Sequence, residues 1–329
     1  MQKYNITIER YNPASASVWD DFVSKSKNGT FLFKRAYMDY HADRFEDFSL
    51  MIYSSHSEPK ARNLLAILPA NRKENILYSH QGLTYGSLLV TTEISQSQML
   101  AIFDALKAFL KPLGFEKIYY KTVPAIYHKL PCEEDLYALF RNNAKLVVRN
   151  CSTTFDIQKS KTSGKLRLAR ISNYADKHNL RCEFHENVDE FWPILEENLK
   201  EKYGVLPVHS QAEMNALRSA FPQNIQAIAV CSDDKIVAGA VVYLANAVAH
   251  LQYVAVSPEG EKMYAGEFLY ESFVHKLFPE YRYFDFGIST EKGGHFLNEG
   301  LISYKEKFGG NTVVYDHYEI EISSAESVM

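Results

Sequence analysis

One stretch near the end of the chain decides its fold: Gly300-Leu301-Ile302-Ser303-Tyr304-Lys305-Glu306-Lys307-Phe308-Gly309-Gly310. At 3.6 residues per turn, Leu301, Tyr304 and Phe308 fall on one apolar side, and the spacing predicts a helix over 295–307. Lys305 lies about 100° round from Tyr304, at the edge of that apolar side. The two glycines end the helix, because glycine readily adopts the backbone conformation that closes helix C-termini.

Working outward, the second half of the chain alternates strands and helices in a definite order. The strand Tyr283-Phe284-Asp285-Phe286-Gly287 precedes the stretch above, and a strand at 312–321 follows it. Further upstream the pattern predicts, in chain order, a basic helix at 160–177, a strand at 181–185, helices at 188–203 and 210–221, strands at 225–231, 236–245 and 248–256, and a helix at 264–278.

The first half repeats this order of elements, though not its residues. It predicts a strand at 4–9, helices around Trp19 and over 34–43, strands near 48–53, 63–70 and 75–79, a helix at 96–111, a strand at 115–121, a helix at 133–142 and a strand at 146–157. Each half mixes an antiparallel meander with helical crossovers. We therefore expect an α/β fold with mixed sheets and helices on both faces, in two domains over 1–157 and 158–322, with a frayed tail at 323–329.

Composition excludes several classes of protein. The 329 residues are 46% apolar and 23% charged, which suits a folded chain of about two domains rather than a disordered one. The formal net charge of −4 gives no overall basic field for duplex DNA. Four dispersed cysteines, no metal-ligand spacing, no apolar leader and no membrane-length apolar run predict a cytoplasmic protein without a metal.

The doubled order of elements resembles the GNAT acyltransferase fold, and a tandem pair of such domains resembles the FemABX family. Gly300 to Gly310 is similar to that family's GL-x-x-(aromatic)-K-x-x-FG segment, and Tyr283 to Gly287 to the strand before it. The resemblance implies an acyltransferase that moves aminoacyl groups onto cell-wall precursors. Its acyl donor would be a co-substrate, aminoacyl-tRNA or acyl-CoA, with no tightly bound cofactor.

The turn expected to bind the pyrophosphate of CoA departs from the GNAT pattern Q/R-x-x-G-x-G/A. Glu261 stands at the first position, and Tyr264 replaces the first glycine. A carboxylate there opposes an anion, and a Tyr side chain hinders close approach of the backbone. Lys262 and Gly266 remain as candidates to bind the donor, so a carrier other than CoA and a modified CoA pose both stay open.

Four residues are candidates for the chemistry. The resemblance places Lys305 beside the reacting acyl group, where an ammonium would stabilise an oxyanion; by spacing alone it is a lysine at a helix edge. Tyr304 would donate a proton to the leaving group or pack in the core. Asp285, among aromatic neighbours, would act as general base or cap a loop. His209 would contact the acceptor or act as base, and Ser210 after it suits a helix N-cap.

The basic helix that opens the second half predicts a phosphate-bearing partner. Arg167, Arg170 and Lys177 lie in an otherwise acidic protein and would suit a nucleotide-sugar, a lipid-linked diphosphate or tRNA. A solvated helix face is the alternative. In the first half, Arg35 belongs to a smaller basic group.

An irregular turn in the first half, Ser79 to Ser87, adds two further candidates for substrate binding. His80 and Tyr85 lie in this glycine-bearing segment, and we expect it to line a cleft between the domains.

Three functions stay open at this point. The first is transfer of an acyl or aminoacyl group to an amine of a cell-envelope or polysaccharide precursor. The second is acetyl-CoA-dependent acetylation of an amino-sugar, which saturable binding of acetyl-CoA would favour. The third is a binding module that has kept the fold without the chemistry, as the altered phosphate turn would allow.

Overall fold

A computed structural model describes residues 4–55, 62–159 and 165–322, and the chain divides into two compact units. The first unit is Met1–Asn150, Lys292–His295 and Val314–Met329; the second is Cys151–Glu291 and Phe296–Val313. The chain first passes between them at Asn150, inside a long strand, whereas the sequence predicts a boundary at 157. The predicted frayed tail at 323–329 lies outside the described residues.

Two sheets build the first unit. Its strands are β1 (Asn5–Arg10), β2 (Glu46–Asp47), β3 (Leu50–Ser55), β4 (Arg62–Leu68), β5 (Asn71–Lys73), β6 (Ile76–Tyr78), β7 (Leu89–Val90) and β8 (Lys117–Lys121), and its helices are α1 (Ala16–Lys25), α2 (Arg35–Met38), α3 (Gln96–Leu110) and α4 (Glu134–Arg141). β1-β3-β4-β7 form an antiparallel sheet, and β2-β5-β6-β8 a mixed one in which β6 and β8 run parallel. β9 (Lys145–Asp156) and β17 (Asn311–Glu321) contribute residues to both units.

The core of the first unit forms along α3. A capping box starts this helix, because the Ser95 side chain accepts from the Gln98 N–H while the Gln98 side chain accepts from the Ser95 N–H. Its predicted apolar stripe is buried: Met99, Ile102, Phe103, Leu106 and Leu110. This stripe packs with β3 and β4 residues, as the periodicity indicates.

The second unit follows the predicted element order. It contains α5 (Lys165–Lys177), β10 (Leu180–His185), α6 (Trp192–Tyr203), α7 (Gln211–Ala220), β11 (Ile225–Ser232), β12 (Lys235–Ala245), β13 (Val248–Val256), α8 (Pro258–Lys262), α9 (Ala265–Ser272), β14 (Tyr283–Ile288), β15 (Thr290–Glu291), β16 (Phe296–Leu297) and α10 (Glu299–Glu306). Its main sheet has the order β10-β11-β12-β13-β14-β9. Only β13 and β14 run parallel among its described pairs, so the prediction of an α/β fold with a mixed sheet is confirmed.

Two predicted helices are shorter than the sequence pattern suggests. α10 begins at Glu299 rather than at 295, because the Asn298 side chain accepts the Leu301 N–H and caps the helix. Phe296–Leu297 instead pairs with Thr290–Glu291 as a short strand. The helix predicted over 264–278 is α-helical only to Ser272 and continues as a π-turn over Phe273–Leu277.

The parallel strands of the second unit separate part-way along their length. Val248–His250 pairs with Tyr283–Asp285, and this register does not continue, although β13 extends to Val256 and β14 to Ile288. The backbone groups after His250 and Asp285 on the facing edges therefore need other partners. We call this opening the splay, defined by Leu251–Val256 and Phe286–Ile288.

Candidate functional site

Lys305 lies at the splay. Its Nζ donates hydrogen bonds to the carbonyl oxygens of Gly287 (2.8 Å) and Ile288 (2.9 Å), on the part of β14 that has left β13. The residue is only 4% exposed. The lysine predicted at the edge of the apolar side of α10 is therefore buried, with its amine fixed against the separating strand.

Burial changes the acid–base behaviour of this amine. Removal from water lowers the pKa of Lys305 from 10.5 to about 8, and the nearby Asp285 carboxylate partly opposes the shift. The side chain is therefore still mostly an ammonium at pH 7. A fixed cation in a poorly hydrated place can stabilise a developing oxyanion.

Asp285 is completely buried and held from several directions. Its Oδ2 lies 3.0 Å from His250 Nδ1. Its Oδ1 accepts from the Ser152 hydroxyl, from the Thr154 hydroxyl (3.3 Å) and from the Gly287 N–H (3.1 Å). All these groups can donate, which suits an ionised carboxylate that only accepts. The hydrogen bond from the Gly287 N–H is a backbone contact of the kind predicted for a capping Asp285, while the role of general base stays a prediction.

His250 was missed by the sequence analysis. It pairs directly with Asp285 in the β13–β14 register, and its side chain is 12% exposed. A Cβ built on Gly287, where φ is +76°, would lie 3.8 Å from His250 Cε1. His250, Gly287 and Lys305 therefore meet where the strands part. A histidine within an apolar strand gives no sequence signal of this contact, since the signal lies in the pairing of distant strands.

A cavity of about 440 Å³ adjoins the splay, and α6, β13, α9 and α10 form its walls. Its lining residues are Asn198, Leu199, Lys202, Val254, Ala255, Val256, Glu261, Gly266, Glu267, Tyr270, Leu301 and Tyr304. The size suits a small-molecule group. Tyr304 lines this cavity and also packs on Phe308 with ring centroids 5.4 Å apart, as the core-packing alternative predicts, while its role as proton donor stays a prediction.

Gly266 brings the start of α9 close to Tyr304. A Cβ at this glycine would lie 3.1 Å from Val256 Cγ2 and 3.6 Å from the Tyr304 hydroxyl oxygen. Two carboxylates, Glu261 and Glu267, also line the cavity, and the amine of Lys202 lies 3.9 Å from Glu261. Lys262, the other predicted donor contact, is exposed at the end of α8.

Tyr264 occupies the position where the GNAT pattern has a glycine, and its backbone is left-handed at φ +59°. Its ring packs on Tyr174 with centroids 4.5 Å apart. The guanidinium of Arg170 lies 5.1 Å from the same ring centroid. α5 therefore contacts the start of α9 through an exposed cation over an aromatic ring.

The sequence also predicts Lys177 and Arg167 on the basic helix as phosphate contacts. Lys177 is exposed on α5. The side chain of Arg167 lies outside the described part of the structure. Both stay predictions as phosphate contacts.

His209 lies between α6 and α7 and is buried. Its Nδ1 is 2.6 Å from the Tyr253 hydroxyl oxygen on β13, and the Tyr253 ring packs on Trp192. Burial raises the pKa of Tyr253, so this hydroxyl stays protonated. It also accepts the His209 backbone N–H, and the tautomer of the imidazole decides whether the hydroxyl donates to Nδ1 or accepts from it. Ser210 caps α7 in a capping box with Glu213. The acceptor role of His209 stays a prediction.

In the first unit, Arg35 has partners of its own. Its guanidinium pairs with Asp39 and with Asp47 (2.6 Å), and it lies 3.9 Å from the ring centroid of Tyr11. Only 6% of the residue is exposed. These contacts describe an arginine that links α2 to the strand β2, and substrate binding by Arg35 stays a prediction.

The turn Ser79–Ser87 is tied to β8 by a buried lysine. Lys121 Nζ donates to the carbonyl oxygens of His80 (3.2 Å), Gln81 (3.2 Å) and Leu83 (2.6 Å). Burial lowers its pKa to about 8. His80 and Tyr85 are both buried, and the Tyr85 hydroxyl donates to Thr30 Oγ1 at 3.2 Å. Their binding roles stay predictions.

The described residues contain neither a group of metal ligands nor a membrane-spanning helix. Over 4–55, 62–159 and 165–322, no three His, Cys, Asp or Glu side chains group as metal ligands would. Within the same ranges, no helix has the length and apolar character needed to cross a membrane.

Comparison with known proteins supports the fold. Residues 160–306 match the family model described as "Acetyltransferase (GNAT) domain". A search of curated proteins gave no significant match. Among solved structures, the crystal structure of FemX superposes with a TM-score of 0.63 at 12% identity, over 94% of this chain and 96% of FemX.

Two more solved structures agree with this. L-PGS from Bacillus licheniformis gives a TM-score of 0.58 at 14% identity, over 97% of this chain and 94% of that one. A tandem GNAT protein from the clavulanic acid biosynthesis pathway gives 0.51 at 10% identity, over 98% and 100%. The chain therefore shares its fold with FemX and with a tandem GNAT protein over nearly its whole length, as its element order predicts.

Proposed function

We propose that the chain transfers an acyl or aminoacyl group to an amine of a cell-envelope or polysaccharide precursor in the cytoplasm. One observation carries the proposal. α10 supplies both the ammonium of Lys305, fixed at the splay, and Leu301 and Tyr304, which line the adjoining cavity. A single helix thus joins a charge that can stabilise an oxyanion to a space that can hold the group being transferred.

The residues allow a balanced acyl transfer. The lone pair of the acceptor amine attacks the acyl carbonyl carbon, and a C–N bond forms as the carbonyl oxygen becomes an oxyanion. The ammonium of Lys305 would stabilise this charge by about 2–4 kcal/mol. The attacking nitrogen loses one proton to a base, for which Asp285 and His209 are the predicted candidates. The oxyanion then reforms the carbonyl, and the C–O or C–S bond to the carrier breaks. The Tyr304 hydroxyl would give its proton to the departing atom and regain one from solvent.

The charges around the cavity favour a donor other than CoA. Glu261 and Glu267 both line the cavity, Glu267 lies in the first turn of α9, where a pyrophosphate would be expected, and Lys202 is the cationic residue of the lining. Two carboxylates oppose a phosphate group more than one lysine attracts it. An aminoacyl ester carried on tRNA avoids this conflict, and Arg170 and Lys177 on exposed α5 offer contacts for its phosphates.

Acetyl-CoA-dependent acetylation of an amino-sugar is the second candidate. The match of residues 160–306 to a GNAT domain favours it, together with the glycine retained at position 266. In this reading Lys202 and Lys262 would meet the phosphates.

One experiment separates these candidates. The protein is incubated either with a pool of tRNA charged with labelled amino acids or with labelled acetyl-CoA, and each donor is offered two acceptors: a UDP-linked muramyl peptide bearing a primary amine and a nucleotide-linked amino-sugar with a free amine. Label in the acceptor from charged tRNA supports the first candidate, and label from acetyl-CoA supports the second. Binding of the acceptor without transfer from either donor would contradict both and favour a binding module.

A further inference from the structure

We propose that His250 accepts the proton of the attacking amine and that Asp285 positions it for this role. The inference rests on the proposed acyl transfer and assigns one step of it to a residue outside the predicted set. It starts from a buried carboxylate and an imidazole that face each other across two parallel strands.

Asp285 fixes the tautomer of His250. Their facing atoms, Oδ2 and Nδ1, are 3.0 Å apart, and a carboxylate can only accept, so Nδ1 carries the hydrogen. In the neutral ring the lone pair then belongs to Nε2. Ser152, Thr154 and the Gly287 N–H hold the other carboxylate oxygen, which prevents the group from turning away. This is the arrangement in which a buried acid orients a histidine base.

The position of the pair also fits the reaction. His250 is the last β13 residue in register with β14, and Gly287 near its ring supplies a carbonyl to Lys305. Base and ammonium thus both lie close to one glycine at the splay. Asp285 has no exposed surface, whereas the His250 side chain is 12% exposed, so a proton leaving an amine reaches the imidazole before the carboxylate.

The proton balance is complete. When the amine attacks, its nitrogen becomes an ammonium bonded to the tetrahedral carbon, and Nε2 of His250 takes one proton from it. His250 is then an imidazolium stabilised by Asp285. As the oxyanion collapses, the bond to the carrier breaks and Tyr304 protonates the departing oxygen or sulfur. The imidazolium releases its proton to solvent and the Tyr304 phenolate regains one from solvent, which restores the starting state.

His250→Asn tests the assignment directly. The amide nitrogen of Asn can replace Nδ1 as a donor to Asp285, but the variant has no basic nitrogen. We expect kcat for acyl transfer to fall by about 10²–10⁴-fold, with a much smaller change in KM. His275→Asn is the matched control, since His275 also faces a carboxylate in this unit, with Nε2 3.2 Å from Glu271, and it is expected to keep the wild-type kcat.

A spectroscopic measurement tests the positioning role of Asp285. In protein labelled with ¹⁵N-histidine, two-bond ¹H–¹⁵N correlations at a pH where the rings are neutral should show His250 protonated at Nδ1. Asp285→Asn should abolish this preference and lower kcat, because its amide can present a donor to Nδ1. An Nε2-protonated His250 in the wild type would overturn the proposal.

The results of these experiments distinguish a failure of the role of His250 from a failure of the proposed acyl transfer. Normal kcat in His250→Asn, alongside a large loss in Lys305→Met, would refute the role of His250 and leave acyl transfer standing. Absence of transfer by the wild-type protein from charged tRNA and from acetyl-CoA would overturn both.

Discussion

Replacing Lys305 by Met removes the ammonium while keeping a chain of similar length at the splay. Two opposite effects on stability follow. Burial has lowered the pKa of the lysine from 10.5 to about 8, so holding it charged at pH 7 costs about 3 kcal/mol, which the substitution recovers. The carbonyls of Gly287 and Ile288 lose their donor, at about 1–3 kcal/mol each.

The two effects nearly cancel, and the variant should fold. We expect the free energy of unfolding to fall by about 0–3 kcal/mol, measured by urea denaturation. Lys121→Met calibrates this structural part, because its amine serves three carbonyls rather than two and has the same lowered pKa. We expect the larger loss of stability in Lys121→Met.

Activity should respond far more strongly than stability. Loss of one well-placed donor to an oxyanion lowers kcat by about 10²–10³-fold. The assay is the initial rate of label transfer to the acceptor amine, at donor concentrations that separate kcat from KM. A folded Lys305→Met protein that transfers at the wild-type kcat would refute the oxyanion role, whatever its stability.

Three further results are expected. With a pKa of about 8 for Lys305, kcat should decline as pH rises through 8 because the ammonium is lost; a flat profile from pH 7 to 9 would contradict this. Lys121 and Lys305 both have folded-state pKa values of about 8, below the 10.5 of the unfolded chain, so the unfolded state binds more protons at each lysine between these values; the urea midpoint of the wild type, measured relative to that of Lys121→Met, should therefore rise with pH across that window, and a constant difference would contradict the lowered pKa of Lys121. Gly266→Ala places a methyl group 3.1 Å from Val256 and 3.6 Å from the Tyr304 hydroxyl, so KM for the donor should rise while the urea midpoint changes little; an unchanged KM would remove the donor from this cavity.

Short-range patterns in the sequence predict the helix that carries Lys305 and the helix cap at Ser210. The apolar spacing and closing glycines around Lys305 indicate α10. The placement of its amine beside a reacting acyl group, which the resemblance implies, stays a prediction. The capping boxes of α3 and α7 likewise follow from residues three positions apart. Such features involve neighbours in the chain, and single-sequence patterns describe them well.

Contacts between residues that are far apart in the chain could not be predicted from the sequence. The contact of His250 with Asp285 requires that β13 and β14 pair in parallel with one particular register, which no residue in either strand specifies alone. Lys202 joins the cavity from α6, far from Glu261 in sequence. The left-handed backbone of Tyr264 is also non-local in origin, because packing of its ring on Tyr174 offsets a conformation that usually requires glycine.

The difference between local and long-range features also applies to the groups proposed to act in the reaction. A conventional phosphate turn is a local feature, and its disruption at Glu261 and Tyr264 is visible in the sequence without any structure. The ammonium at the splay depends instead on tertiary contacts, and those contacts are present: a buried lysine, two carbonyls freed by separating strands and a carboxylate–imidazole pair beside them. Because keeping Lys305 charged in this place costs folding energy, a chain without need of the charge would be more stable with an apolar residue and paired strands. The buried ammonium therefore supports the proposed acyl transfer, and the altered phosphate turn supports a donor other than CoA.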